Sequence, residues 1–253
     1  MLNELLPVEA FAFFLVFARI GAFLMLMPTV GEAYISPRIR LGLALAVTLV
    51  MAPAILPQIP PAPDSGIALT LLVGGEVLVG LFLGQMLRVF MSALSTAGTV
   101  IGFQTGFSNA LLFNPAMSDQ GALPAVFLAM MGAMMVLVTD THHLMLIALA
   151  DSYRLFVPGQ PLQVGDMVEM MARKVADSFL LGIQLSAPFI VVIMMFNILL
   201  GVLARLMPQL QIFFLALPAQ VLLGLGVFLV TISGIMMWFM DRLAGHLSDF
   251  IAI

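Results

Sequence analysis

The sequence has no cysteine and few charged residues, and both shortages exclude classes of function. Without cysteine, the chain can form no disulfide, no thiolate metal site and no cysteine nucleophile. Only 9% of its 253 residues are charged, against roughly 25% in a soluble domain. The net charge is -4 and the sequence contains no cluster of basic residues, which argues against nucleic acid as a partner. The single lysine, Lys174, has no glycine before it, so a GxxxxGK[ST] nucleotide-binding loop is absent.

Hydrophobic residues make up 62% of the chain, and they fall in long runs. Several runs approach the roughly 20 residues that a helix needs to cross a bilayer, and none shows the alternation of a membrane β-barrel. The sequence therefore predicts an all-α membrane protein. The N-terminal run lacks a preceding basic segment and a cleavage site, so we interpret it as a retained first helix.

The apolar runs predict an order of helices. Residues 10–30 and 39–56 form the first two, and the third starts near 67 and stays helix-compatible beyond 88. Residues 121–150 are broken by a polar stretch at 139–143, which favours two half-segments. The polar residues of 151–177 predict an exposed linker with one amphipathic helix. The closing runs are 175–204 and 210–240; they form a hairpin, and Pro188 and Pro218 predict a kink in each arm.

Basic residues and prolines predict the connections. Arg38 and Arg40 place the first loop in the cytoplasm and the N-terminus outside, by the positive-inside bias. Five prolines in residues 53–65 predict a stiff external connection that is not helical throughout.

Glycines recur every four residues at the end of the third helix. Gly98, Gly102 and Gly106 share one helical face, and Gly80 and Gly84 share another. Small residues at this spacing let a second helix approach closely. The face meets either a partner subunit or a helix of the same chain, and the sequence favours neither.

Arg19 and Glu76 are the charges most clearly placed inside apolar runs. Each would cost about 2.5–3.5 kcal/mol at the bilayer centre if it had no partner. We therefore expect both side chains to face the protein interior and to pair with each other. The alternative is that one or both lie at interface depth and extend toward water.

The stretch with Asp140, His142 and His143 has the residue types of a metal site. The only other histidine, His246, is far along the chain, so a polar turn at a membrane interface is favoured over metal binding. No GxSxG motif occurs, and Asp140 has no evident intramembrane aspartate mate. The sequence thus predicts neither catalytic residues, nor a metal, nor a cofactor.

Four sequence blocks carry a family resemblance. They are SPRIRLGLALAVTLVMAPAILP, GEVLVGLFLGQMLRVFMSALSTAGTVIGFQTGFS, the following NP, and NILLGVLARLMPQLQIFFLALPAQ. In their order and spacing they resemble the FliR/SpaR/YscT family of type III secretion export gate proteins. The last block is the most specific, and it marks Arg205, Pro208 and Gln209 as packing or subunit-contact residues.

The resemblance implies a non-enzymatic subunit of a protein export gate in the bacterial inner membrane, at the flagellar basal body. Its implied partners are several copies of FliP, together with FliQ, FlhB and FlhA, unfolded export substrates and membrane lipid. Residues 1–166 resemble a FliP subunit and 175–240 resemble the FliQ hairpin, within one family domain over 1–253. An injectisome gate subunit, a small-solute transporter and a purely structural scaffold are the alternatives.

The resemblance also implies a plug that closes the pore, at residues 105–121. Bulky stoppers and glycine hinges characterise it, and two asparagines make this version more polar. The plug residues are Gly106, Phe107, Asn109, Leu111, Leu112, Phe113, Asn114 and Gly121.

Overall fold

A computed structural model describes residues 2–107, 123–207 and 212–251 of the chain. The secondary structure in these ranges is helical, with turns and short connections between the helices. The predicted all-α fold is therefore confirmed. The helices are α1 Leu2–Leu26, α2 Pro37–Ile55, a 3-10 turn Leu56–Gln58, α3 Gly66–Thr105, α4 Leu123–Val138, α5 Thr141–Leu155, α6 Val164–Leu206 and α7 Ile212–Ile251.

The connection between α1 and α2 begins near Pro28, which has no amide hydrogen to donate and disfavours a continued helix. Helix α1 ends at Leu26, and Thr29 then adopts a positive φ of 77°. The Gly31 amide donates to the Met27 carbonyl at 2.7 Å, and a Cβ at Gly31 would collide with backbone carbonyls. The Arg40 guanidinium also donates to two carbonyls of this connection. The first apolar run thus ends a few residues earlier than its predicted bound at 30.

Helix α2 begins at Pro37, where a missing amide hydrogen costs nothing. The proline-rich stretch is not helical throughout, as predicted: Pro53 lies inside α2, and the connection is non-helical beyond Gln58. Pro188 and Pro218 also lie inside continuous helices, and the kinks expected there stay a prediction.

Residues 123–155 form two half-segments, which confirms the predicted break. Helices α4 and α5 are bent by 76° about a two-residue junction, and Asp140 has a φ of 56°. The predicted linker with one amphipathic helix over 151–177 is present in part: residues 156–163 connect α5 to α6, and the exposed helix at 164–177 is the start of α6 and not a separate element. Polar residues do not interrupt α6, since they lie on its exposed side and Arg173 pairs with Glu169 one turn away.

Four described helical segments are long and apolar enough to span a membrane, or five if α4 and α5 form one bent span. Helix α3 has 40 residues, about 60 Å at 1.5 Å per residue, which exceeds a hydrocarbon core of about 30 Å. The length and apolar character of these segments make the chain an integral membrane protein.

The chain divides into two compact units, and each has its own core. Unit A comprises residues 1–90, 136–174 and 244–253, and unit B comprises 91–135 and 175–243. Large apolar side chains are fully buried in each. They include Leu15, Val16, Ile20, Phe23 and Leu149 in unit A, and Leu94, Ile101, Leu128, Phe189 and Phe239 in unit B. The predicted division into 1–166 and 175–240 rests on resemblance to other proteins, and it stays a prediction.

Glycines bring helices into contact inside each unit. A Cβ at Gly80 would collide with the Arg19 carbonyl of α1, and one at Gly84 would lie 2.8 Å from the Leu26 Cβ. In unit B, a Cβ at Gly98 would collide with the backbone of Ala125 in α4. The sequence left open whether the glycine faces meet a partner subunit or a helix of the same chain. Gly80, Gly84 and Gly98 contact helices of the same chain.

Candidate functional site

Unit A contains a buried ion pair between Arg19 of α1 and Glu76 of α3. The Arg19 Nε donates to Glu76 Oε2 at 2.7 Å, and Nη2 donates to Oε1 at 2.9 Å. The two residues are only 1% and 3% exposed. Two parallel hydrogen bonds of this kind are the strongest geometry available to arginine and a carboxylate. The geometry agrees with the hypothesis that the two intramembrane charges face the interior and pair.

Arg19 also binds the C-terminal end of α5. Its Nη2 donates to the Phe156 carbonyl at 2.7 Å, and Nη1 donates to Ser152 Oγ at 3.3 Å. The Arg19 Cζ lies 3.9 Å from the centroid of the buried Tyr153 ring. Because the last carbonyls of a helix have no partner within the helix, a cation at this position both satisfies one and complements the helix dipole.

The ionic cluster of Arg19, Glu76, Ser152, Tyr153 and the Phe156 carbonyl therefore joins α1, α3 and α5. The sequence indicated only Arg19 and Glu76. Serine and tyrosine carry no charge, and a backbone carbonyl leaves no trace in a sequence. The one available signal was the polar triplet Asp151, Ser152 and Tyr153 at the end of an apolar run.

Arg19 and Glu76 also line a cavity of about 740 Å³ in unit A. The opposite walls come from the proline-rich connection and from the connection between α5 and α6, where Gly159 has a φ of 83°. The cluster is thus buried from bulk solvent, while one of its sides adjoins open space within the unit. Other lining residues are Pro60, Pro61, Gly75, Gln160 and Leu162.

The predicted plug begins at the end of α3 in unit B. Thr105 is buried, and its hydroxyl donates to the Ile101 carbonyl at 2.7 Å. Gly106 follows with a φ of 79°, a conformation that favours glycine over residues with a side chain. Phe107 is half-buried. The other predicted plug residues lie outside the described residues: Asn109, Leu111, Leu112, Phe113, Asn114 and Gly121.

An apolar pocket of about 280 Å³ lies beside the predicted plug segment. It is lined by Phe107, the last residue described before residues 108–122, and by Leu123, the first residue described after them. Helix α7 forms another wall, where Gly224 is packed so closely on Thr105 that a Cβ would collide with its side chain. The Gln220 side-chain amide donates to the Gln104 carbonyl. Helix α7 thus holds the end of α3 through a close contact and a hydrogen bond. The remaining lining residues are Ile101, Pro124, Phe127, Leu225 and Phe228.

The remaining predicted contact residues have different environments. Gly102 is buried in the last turns of α3, and Arg205 is exposed in the last turn of α6. Pro208 and Gln209 lie outside the described residues. An exposed arginine at the end of an apolar helix is available to a neighbouring subunit, so Arg205 stays a predicted contact residue.

The family described as "Bacterial export proteins, family 1" matches residues 10–246. The flagellar biosynthetic protein FliR of Caulobacter vibrioides is 43% identical over 228 residues, which cover 90% of this chain and 91% of that protein. FliR of Bacillus subtilis is 30% identical and covers 88% of the chain and 86% of its own length. The Yop proteins translocation protein T of Yersinia pestis is 24% identical, over 87% and 85%. The chain therefore belongs to family 1 of the bacterial export proteins, the family that includes FliR and its type III secretion counterparts.

Proposed function

We propose that this chain is the FliR subunit of a flagellar type III protein export gate. The observation that carries the proposal is the 43% identity to a FliR protein over nine-tenths of both chains. The apolar helices support a place in the membrane, which for this apparatus is the inner membrane at the flagellar basal body. An injectisome role is the second candidate, and the Yersinia relative supports it at the lower identity of 24%.

In this role the chain assembles with several copies of FliP and with FliQ around a pore for unfolded substrates, next to FlhB and FlhA. Exposed apolar side chains on the long helices support assembly, because a large part of their surface is not covered by the chain itself. In the spanning window of α6, only 11% of the residues are buried within the chain. Lipid covers such a surface as well as protein does, so the assembly is tested by isolating the complex and not by burial alone.

The gate itself is residues 105–121, which close the lumen to ions and small solutes until a substrate displaces them. The left-handed Gly106 and the fixed end of α3 support this assignment, since they supply a hinge directly after an anchored helix end. The chain acts by steric closure and performs no reaction of its own. Partner components and the proton-motive force supply the energy.

Deleting residues 108–121 and joining the ends through a short glycine-serine linker tests the gate. The assembled complex should conduct ions in planar bilayers at rest, and cells should become sensitive to small external solutes. Replacing the segment with a glycine-serine linker of equal length is the matched variant, because it keeps the chain length and removes the bulky stoppers. Both variants should leak. A deletion as tight as the parent would contradict the plug assignment and would favour a structural scaffold.

A further inference from the structure

The junction between α4 and α5 brings three potential metal ligands together. Asp140, His142 and His143 each place one ligand atom within 4.8 Å of the others. His143 Nδ1 lies 3.7 Å from Asp140 Oδ1. Zinc bonds of about 2.0–2.1 Å in a tetrahedron place neighbouring ligand atoms about 3.3 Å apart. The Asp140 and His143 atoms are therefore close to the separation that a single ion imposes.

The backbone at the junction holds the carboxylate near the two imidazoles. Asp140 adopts a φ of 56°, a left-handed conformation that few non-glycine residues occupy. It precedes α5, whose first turn contains both histidines, and the Asp140 carbonyl accepts a hydrogen bond from the His143 amide at 2.9 Å. The hydroxyls of Thr139 and Thr141, on either side, are 2.7 Å apart. Hydrogen bonds thus fix the backbone of the three residues, while the exposed side chains of Asp140 and His143 can change rotamer.

A backbone carbonyl lies beside one ring nitrogen of His142. The His142 Nδ1 is 3.4 Å from the Val136 carbonyl oxygen, which can only accept, so this contact favours the tautomer with the proton on Nδ1 and a lone pair on Nε2. A backbone carbonyl in this role is the usual partner of a metal-bound histidine. The His142 and His143 rings lie side by side, with centroids 4.1 Å apart.

The site is open to a metal ion from solvent. The Asp140 and His143 side chains are 77% and 64% exposed, so the surrounding protein leaves them room to rotate toward one ion. Two imidazoles and one carboxylate suit zinc and similar borderline divalent ions, and they leave a fourth position for water. The chain has no cysteine that would compete for such an ion.

We propose that Asp140, His142 and His143 form a binding site for a divalent transition metal, with Zn²⁺ as the best match, at the bend between α4 and α5. The sequence favoured a polar turn here because the only other histidine, His246, is far along the chain; in the structure Asp140 itself supplies the third ligand atom beside the two histidines. The ion bonds the strained Asp140 to the first turn of α5, and it thereby stabilises the junction at which the two half-segments meet. The inference is independent of the proposed export role.

Zinc titration of the full-length chain tests the site. The protein is purified from membranes in detergent with its bound partners retained, through a tag that contains no histidine, and binding is followed by calorimetry. We expect one Zn²⁺ per chain that is absent from the double variant His142→Ala/His143→Ala. His142→Ala, His143→Ala and Asp140→Asn should each weaken binding by at least about tenfold, as a lost ligand costs no less than a lost supporting contact.

His246→Gln is the matched control, because it changes the one remaining histidine, which lies against Lys174 with a distance of 3.2 Å between Nζ and Nδ1. This variant should bind Zn²⁺ as the parent does. The visible spectrum of bound Co²⁺ gives a second measurement on the unaltered chain. An intense band of a four-coordinate ion is expected, and the weak spectrum of the aqueous ion would overturn the site. Equal loss in His246→Gln, or full affinity in Asp140→Asn, would overturn the three-ligand assignment.

Discussion

Removing the charge of Glu76 should be among the most destabilising single changes in unit A. Glu76→Gln keeps the size of the side chain, but it leaves the Arg19 guanidinium, which is 1% exposed, without its counter-ion. Breaking a buried pair in this way costs about 3–5 kcal/mol, because a desolvated charge remains. The Phe156 carbonyl and the Tyr153 ring stay in contact with Arg19, so we expect about 3 kcal/mol, the lower end of that range.

The free energy of unfolding is measured by circular dichroism in mixed micelles with increasing denaturing detergent. Arg88→Met is the control, since it removes an exposed charge from the same helix, and it should change stability by no more than about 0.5 kcal/mol. In the double variant Arg19→Met/Glu76→Gln, the loss should be smaller than the sum of the single losses by about 1–3 kcal/mol. A Glu76→Gln variant as stable as Arg88→Met, or strictly additive losses, would refute the pairing.

Exchanging the charges of Arg19 and Glu76 is a poor test of their pairing. A carboxylate at position 19 would face the Phe156 carbonyl and Ser152 Oγ at the C-terminal end of α5, where the helix dipole disfavours negative charge. The double exchange should therefore fail to restore stability, even though Arg19 and Glu76 pair directly.

Three further predictions concern packing, backbone strain and the aromatic contact. Gly98→Ala forces a Cβ into the Ala125 backbone and should lower the free energy of unfolding by about 1–3 kcal/mol. Gly234→Ala is the control, because no described atom lies within 4 Å of the added Cβ. It should raise the free energy of unfolding by up to about 1 kcal/mol through helix propensity. Gly106→Ala places a Cβ at a φ of 79° and should cost about 1–2 kcal/mol, or else raise ion leakage through the proposed plug in conductance measurements. Gly106→Asn should have a smaller effect in both measurements. Tyr153→Phe should lose less than about 1 kcal/mol of stability, because the hydroxyl that it removes makes only a long, 3.5 Å contact with the Val16 carbonyl. Tyr153→Leu should lose more, since it also removes the aromatic face beneath the Arg19 guanidinium. Equal losses in the two variants would contradict the cation-π contact.

The sequence predicts the features that follow from the cost of burying charge and from breaks in hydropathy. Two isolated charges in apolar runs had to find partners, and the polar stretch at 139–143 had to interrupt a long helix. The sequence does not predict the acceptors that complete the coordination of Arg19, because a serine and a carbonyl become ligands only when α5 is placed against α1 and α3. It also misses the left-handed backbone of Asp140 at the junction of α4 and α5.

The sequence does not predict the extent of α6. The mixed charges of 151–177 predicted a linker with one amphipathic helix, whereas residues 164–177 form the exposed start of a 43-residue helix that continues into the apolar run. A solvated helix with charges one turn apart is as compatible with this composition as a coil is. Glycine spacing likewise predicts close helix contacts, but not whether the partner helix belongs to the same chain.

The subunit assignment is tested most directly by isolating the assembly that contains this chain. The tagged chain, produced in its own cells together with the proposed partner proteins, is purified in mild detergent, and the mass of the intact complex is measured by native mass spectrometry. We predict one discrete complex with several copies of FliP, together with FliQ, and a loss of that complex when Arg205 is replaced by glutamate. Recovery of the chain as a stable monomer or homo-oligomer that binds a small solute would contradict the export gate and would favour a transporter.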